Sequence, residues 1–161
     1  MLHAPVAWPP ITWSVSMLGI HLLGYYIFDT ANSQKDYFRA RNPEAHERRG
    51  FPRFASGRLK NPKYITTEIP GKNILIDGWW GVARHINYTG DLMMAWAWGL
   101  TCGFDSIIPY FYAIYMTLLL LHRERRDDLD CSKKYGAVWK KYLFPPPQNC
   151  VCVCVCVCVC V

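Results

Sequence analysis

Charged residues are missing from two long stretches of this 161-residue chain. Residues 4–28 contain no Lys, Arg, Asp or Glu, and residues 92–121 contain only Asp105. Each stretch is longer than the roughly 20 apolar residues that cross the hydrocarbon core of a bilayer. The pattern therefore favours an integral membrane protein over the alternative, a soluble protein with two buried helices.

Cysteine is scarce outside the end of the chain. Only Cys102 and Cys131 lie outside a Val-Cys repeat that fills residues 150–161. Two cysteines do not make a disulfide framework, so the body of the chain suits a reducing compartment. The repeat could form a strand with its thiols on one face, could bind a metal, or could be a translated GT dinucleotide repeat, which is the simplest origin. We place the Pro-rich and Val-Cys residues 143–161 outside the fold and expect no metal site.

The chain also lacks a Gly-x-Gly-x-x-Gly motif, so a Rossmann-type nucleotide site is not supported. Its net charge of +6 is modest and comes from segments beside the apolar stretches, among them residues 29–73, which carry ten Lys or Arg against five Asp or Glu. Basic flanks of this kind are typical of cytosolic loops in membrane proteins. We therefore expect a lipid bilayer as a partner, and no nucleic acid.

The second apolar stretch is interrupted between residues 101 and 109, where Gly103, Asp105 and Pro109 fall. A turn between two tilted helices is predicted here, with a sharp kink as the alternative. Because the two halves are short for full spans, we expect the first helix to begin upstream, near Trp79 or Trp80. The predicted fold class is all-α: a multi-span helical membrane protein in which residues 1–142 form one region, with spans at 4–28 and 92–121.

The densest group of aromatic and polar side chains lies in residues 78–91, which read GWWGVARHINYTGD. Buried polar groups are costly without partners, so a packed core alone would not need this many of them. Tryptophan and tyrosine also offer flat surfaces on which a ring can stack, although both are common in the aromatic belt of membrane proteins. The segment predicts a site for a large polar ligand at the membrane edge.

Lys35 and Arg39 are four residues apart and would share one face of a helix. Two cations on one face can grip a phosphate, and a basic group beside the ribose is how proteins accommodate the 2′-phosphate of NADP. Taken alone, such a pair is more often a solvated helix face.

Three segments in this order resemble the C-terminal part of the sterol reductase family. They are residues 31–35, which read ANSQK, residues 78–91, and residues 107–142, which begin IIPYFY. The similarity is greatest to the Δ14-sterol reductases, including the reductase domain of the lamin B receptor. It implies NADPH-dependent reduction of a sterol carbon–carbon double bond, here the Δ14 bond, by a multi-pass protein of the endoplasmic reticulum membrane with a cytosol-facing cofactor pocket.

The resemblance also assigns contacts to the cofactor NADPH, position by position. These ten residues come from, or lie beside, the three motifs: Lys35, Arg39, Leu75, Trp80, Asn87, Tyr88, Asp127, Cys131, Tyr135 and Tyr142.

The family's chemistry implies a proton donor as well. An alkene is a poor hydride acceptor, so a proton must reach one carbon first and leave a tertiary carbocation that takes hydride from the nicotinamide. The donor must be an acid held protonated near neutral pH, which burial can arrange for a carboxyl group. We expect Asp127 to be this acid, with Arg123 and Tyr88 as positioning groups.

Two of the chain's departures from the family bear on the site. Ile86 stands where family members often have proline. Family members also carry further membrane helices ahead of this region, which help to enclose the sterol. We therefore expect a C-terminal fragment that holds most of a cofactor site and little of a substrate pocket.

Two other functions stay open. An enzyme of the isoprenylcysteine carboxyl methyltransferase type, which uses S-adenosylmethionine, shares a pattern that Arg84, His85, Tyr88 and Gly90 satisfy. A non-catalytic, truncated membrane protein is the other. The ANSQK motif and residues 122–142 favour the reductase.

Overall fold

The computed structural model describes residues 10–40, 57–69 and 73–143, and of residues 140–143 only the helical backbone. The described chain is mostly helical, as predicted. Its elements in order are α1 (Ile11–Arg39), β1 (Tyr64–Ile65), β2 (Ile74–Leu75), α2 (Trp79–Val82), α3 (Ile86–Thr101), a 3-10 helix (Ile108–Tyr110) and α4 (Phe111–Leu143). The Val-Cys repeat lies outside the described residues.

Helix α1 begins directly after Pro10, whose extended backbone (φ −60°, ψ 151°) precedes the first helical residue. Proline lacks an N–H group, which the start of a helix does not need. The helix continues well past the apolar residues, through the polar turns that contain the ANSQK motif, and ends at Arg39. Within the described part of the chain, α1 alone is long and apolar enough to cross a membrane.

The second apolar stretch is divided between two helices. Helix α3 ends at Thr101, residues 102–107 turn the chain, and the apolar first part of α4 follows after the 3-10 helix. Trp13 closes this end of the molecule, since its Nε1 donates a hydrogen bond to the Leu100 carbonyl at 2.9 Å and its ring meets Phe104 edge-on. That these two helices form a membrane-spanning hairpin stays a prediction.

The expected continuous helix from Trp79 or Trp80 is wrong. Helix α2 starts at Trp79 but stops at Val82, because Ala83 is fully extended (φ −153°, ψ 150°), and α3 starts only at Ile86. The break has a packing cause: it lets the two tryptophans bond to α1 while Arg84 reaches α4.

A small β-ladder was not predicted from the sequence. Strands β1 and β2 pair antiparallel, with Tyr64 opposite Leu75 and Ile65 opposite Ile74. Its tip lies outside the described residues. The ladder fixes Leu75, which is buried, at the edge of the helices.

Helices α1 and α3 approach each other closely at two glycines. A Cβ atom on Gly24 would lie 2.8 Å from the carbonyl oxygen of Gly90, and one on Gly90 would lie 2.6 Å from the carbonyl oxygen of Gly24. Real Cβ atoms do not approach backbone oxygens this closely, so both positions need glycine. Small residues at a helix crossing are the usual way for membrane helices to bring their backbones together.

The glycine crossing makes a prediction about stability. Gly90→Ala should lower the free energy of unfolding by about 1–3 kcal/mol, because the added methyl group forces α1 and α3 apart. Gly19→Ala is the matched control, since Gly19 lies on α1 with no atom within 4 Å of its would-be Cβ. Thermal unfolding in detergent, followed by circular dichroism, compares the two; equal melting temperatures would contradict the tight crossing.

Candidate functional site

The two tryptophans of α2 are anchored to the polar turns of α1. Trp79 Nε1 donates a hydrogen bond to Thr30 Oγ1, and Trp80 Nε1 donates one to the Ala31 carbonyl, both at 2.8 Å. The Trp79 backbone N–H donates to Gln34 Oε1 at 2.9 Å. The side-chain oxygen of Gln34 therefore anchors α2 to α1. The ANSQK motif thus contributes to the structure, in addition to any role in binding.

Lys35 lies on the same stretch of α1, with its Nζ atom 4.3 Å from the centre of the Trp80 ring. Burial, with a further contribution from the charge of nearby Arg39, lowers the pKa of Lys35 to about 8. A partly desolvated ammonium group on an aromatic face is attracted to the ring and has few water partners. Such a group is ready to pair with an anion.

The start of α3 presents His85 and Tyr88 as a stacked pair, with ring centres 4.8 Å apart and planes at 15°. Burial, reinforced by the charge of Arg84, lowers the pKa of His85 to about 4, so this ring is neutral at physiological pH. Its neutral form makes His85 a flat packing surface beside the site.

Tyr88 connects α3 to α4. Its hydroxyl donates a hydrogen bond to Asp127 Oδ2 at 3.0 Å, and the guanidinium of Arg123 lies 6.0 Å from the centre of its ring. Burial, followed by the hydrogen bond to Asp127, raises the pKa of Tyr88 to about 12. Tyr88 therefore keeps its proton and acts as a hydrogen-bond donor. The three predicted catalytic residues, Asp127, Arg123 and Tyr88, lie together.

Asn87 has an unsatisfied atom. Its Nδ2 lies 3.4 Å from Asn32 Oδ1, whereas its own Oδ1 is buried and finds no hydrogen-bond partner in the described part of the chain. A buried acceptor without a partner costs about 1–3 kcal/mol. A bound molecule with an N–H or O–H group at this point would remove that cost.

These side chains surround two adjoining cavities, of about 260 Å³ and about 780 Å³. Both cavities are lined by Lys35, Arg39, Trp80, His85 and Asp127. The smaller cavity adds Leu75, Cys131 and Tyr135 from the predicted set, and the larger one adds Asn87, Tyr88 and Arg123. Nine of the ten predicted cofactor residues thus line one or both of these cavities, and the side chain of the tenth, Tyr142, lies outside the described residues. Their binding of a cofactor stays a prediction.

Cys131 lies one helical turn after Asp127 on α4 and is half-buried. Burial, with the nearby charge of Asp127, raises the pKa of its thiol. The thiol is therefore neutral near pH 7, which suits a packing role against a bound ring better than a role as nucleophile.

Several residues that line the smaller cavity are not among the predicted contacts to the cofactor. Arg84 and His85 both line the smaller cavity, and the signal for them was present in the polar segment at residues 78–91. Phe38 and Trp139 line it too. Nothing in the sequence marked these two, because aromatic residues on a helix are more often part of a core.

Comparison with known proteins places these observations in a family. The sequence profile described as the ergosterol biosynthesis ERG4/ERG24 family matches residues 1–151. Over 137 residues the chain is 47% identical to Delta(14)-sterol reductase LBR of Gallus gallus, a match that covers 85% of this chain and 19% of the relative.

Two further relatives agree. Over 129 residues the chain is 49% identical to Delta(14)-sterol reductase erg24 of Schizosaccharomyces pombe, covering 80% of this chain and 27% of the relative. Over 140 residues it is 46% identical to 7-dehydrocholesterol reductase of Xenopus laevis, a match that covers 84% of this chain and 28% of the relative. The chain thus spans less than a third of the length of each of these three relatives. The resemblance found in its motifs is confirmed, and the chain belongs to the ERG4/ERG24 family of sterol reductases.

Proposed function

We propose that this chain forms the cofactor-binding part of an NADPH-dependent sterol reductase in sterol biosynthesis, a multi-pass protein of the endoplasmic reticulum membrane that acts on the Δ14 double bond. One observation carries the proposal: four separate helices bring Lys35, Trp80, Asn87 and Asp127 to the wall of the same larger cavity. The chain's similarity to proteins named Delta(14)-sterol reductase supports the substrate class.

The residues fit a phosphorylated dinucleotide. Lys35 and Arg39 lie one helical turn apart on α1 and would hold a phosphate, while the Trp80 face would support a ring. The unsatisfied Oδ1 of Asn87 would accept a hydrogen bond from an amide group such as that of nicotinamide. When bound there, NADPH would supply the hydride that completes the reduction.

Asp127 would deliver the proton to the sterol double bond. The hydrogen bond from Tyr88 occupies Oδ2, which leaves Oδ1 as the atom to carry the transferable proton. Proton transfer breaks the O–H bond, forms a C–H bond on one alkene carbon and leaves the positive charge on the other. The resulting carboxylate would be stabilised by the hydroxyl of Tyr88 and by the cationic side chains of Lys35 and Arg123 along the same cavity.

The methyltransferase alternative loses its main argument. Gly90 is required by the crossing of α1 and α3, and Arg84 is committed to two carboxylates on α4. Two of the four residues in the shared pattern, Arg84 and Gly90, are therefore explained by packing of the helices, without S-adenosylmethionine. The match to a reductase family points the same way.

The choice of the Δ14 bond rests on fewer residues. Similarity alone does not separate Δ14 from Δ7 reduction, because the 7-dehydrocholesterol reductase is nearly as similar as the Δ14 enzymes. The resemblance to the family implies that the Asn32-Ser33-Gln34 triplet favours Δ14. Ser33 and Gln34 are buried, and of the three only Asn32 lines the larger cavity. We propose that the triplet influences substrate choice through Asn32.

Ligand preference tests the proposed cofactor. The tryptophan fluorescence of the purified chain in nanodiscs should be quenched on titration with NADPH, because Trp80 and Trp139 line the smaller cavity. It should respond less to NADH and not to S-adenosylmethionine. Saturable binding of S-adenosylmethionine in place of NADPH would support the methyltransferase and reject the reductase.

Replacing Asp127 tests the proposed acid. Asp127→Asn should lower sterol reduction by at least about a hundredfold, because the amide cannot donate a proton to carbon, while NADPH still binds. The assay is growth of a yeast strain that lacks Δ14-sterol reductase, with the chain supplied alone and joined to the N-terminal part of the Schizosaccharomyces pombe relative. Asp105→Asn, in the exposed turn after α3, is the control. Normal growth with the Asp127 variant would remove Asp127 from the mechanism.

The lowered pKa of Lys35 predicts how affinity for the cofactor depends on pH. In the free protein Lys35 loses its charge as the pH rises through about 8, whereas a bound phosphate would hold the proton on. Affinity for 2′,5′-ADP should therefore be nearly constant between about pH 7 and pH 8, where the phosphates keep their charge, and should fall by up to about tenfold per pH unit above pH 8. Lys35→Arg should abolish this fall, because arginine stays charged. A wild-type affinity that is flat to pH 9.5 would show that Lys35 does not bind the phosphate.

A further inference from the structure

Arg84 joins the link between α2 and α3 to two consecutive turns of α4. One guanidinium nitrogen lies 2.9 Å from Glu124 Oε1, and another lies 2.9 Å from Asp128 Oδ1. Trp139 Nε1 donates to the same Asp128 oxygen at 3.1 Å, and the guanidinium lies 5.8 Å from the centre of the Trp139 ring. We call this group of four residues, Arg84, Glu124, Asp128 and Trp139, the arginine clamp.

The helical backbone of α4 is interrupted shortly before Trp139, the last residue of the arginine clamp. Gly136 breaks the helix with φ 50° and ψ −123°, a conformation that residues with a side chain rarely adopt. The break lies three residues before Trp139, which is 7% exposed and stacks on Tyr135 with ring centres 6.2 Å apart. The chain therefore accepts a local irregularity at the point where Trp139 meets Asp128.

The geometry of the clamp restricts how α4 can move. Glu124 and Asp128 are one helical turn apart, and the planar guanidinium presents separate N–H groups to each carboxylate. A single ion pair would allow the helix to rotate about the contact. Two pairs spaced along the axis fix both its rotation and its height relative to the α2–α3 link.

Rotation of α4 matters because its cofactor-facing residues lie on the neighbouring face. Asp127, Cys131 and Tyr135 are spaced by four residues and form one stripe along the helix, and all three line the smaller cavity. Turning α4 away from Arg84 would move this stripe out of the cavity and break the hydrogen bond from Tyr88 to Asp127.

We infer that Arg84 is a positioning residue for the cofactor, which acts by holding the Asp127, Cys131 and Tyr135 stripe of α4 against the site. The inference rests on the proposed function, since it concerns NADPH affinity. It gives the arginine of the Arg-His pair a task in the reductase without contact to the reacting atoms.

Titration of the chain with NADPH in nanodiscs, followed by tryptophan quenching, tests the inference. Arg84→Gln should raise the dissociation constant about tenfold, and Glu124→Gln and Asp128→Asn about threefold each, as expected for half-buried ion pairs. The Glu124→Gln/Asp128→Asn double variant should match Arg84→Gln, and adding Arg84→Gln to it should cause no further loss, because the partners form one unit. Arg84→Lys should be intermediate, since an ammonium group is a poor bridge between two carboxylates.

The control is Arg126→Gln, an exposed arginine on the same helix that lines neither cavity. Melting temperatures measured alongside separate the two possible roles: a merely structural residue would lower the melting temperature and leave the dissociation constant of the folded fraction unchanged. If Arg84→Gln cannot be purified folded, the two single carboxylate variants and their combination carry the test. Wild-type affinity in the double variant, or losses that multiply with Arg84→Gln, would overturn the inference. Failure of the wild-type chain to bind NADPH would instead reject the proposed function, and the inference with it.

Discussion

The close crossing of α1 and α3 at Gly24 and Gly90 is the constraint on which the site depends. The two helices meet backbone to backbone there, so everything toward the polar end of both helices is held within side-chain reach. Asn32 can then touch Asn87 across the interface. A larger residue at either glycine would push the helices apart, and the 3.4 Å contact between Asn87 and Asn32 is already near the limit for a hydrogen bond.

The polar residues at the end of α1 have two different roles. Thr30, Ala31 and Gln34 use their oxygens to hold the two tryptophans of α2. Lys35, one residue further along, is directed instead at the face of Trp80 and the open space beside it. The same short stretch of α1 therefore positions α2 beside the cavities and supplies the positive charge of Lys35. This explains why polar residues follow the apolar residues within a single helix.

Many of the residues that line the two cavities could be named from the sequence, but the path of the chain between them could not. The sequence was sufficient to place Lys35 and Arg39 on one face of a helix, because residues four apart are neighbours on the helix surface. It was insufficient at Ala83, because an alanine has no local preference for an extended backbone. The break there is imposed by distant partners, with the tryptophans bonded to α1 on one side and Arg84 to α4 on the other. The small β-ladder escaped prediction for a similar reason, since two-residue strands leave no periodic signal.

Ile86 shows how a residue that departs from a family pattern can still begin a helix. It is the first residue of α3, the position at which proline is favoured because no N–H group is needed and its φ suits the helix. The family's usual proline would thus start this helix by its backbone geometry. Isoleucine starts it by burial instead, since only 3% of its surface is exposed. Either residue begins the helix at the same place, and it is this starting point that sets Asn87 and Tyr88 in the first turn, facing α1 and α4. What the sequence must preserve here is therefore the position of the helix start, and the chain satisfies that requirement with a different physical interaction.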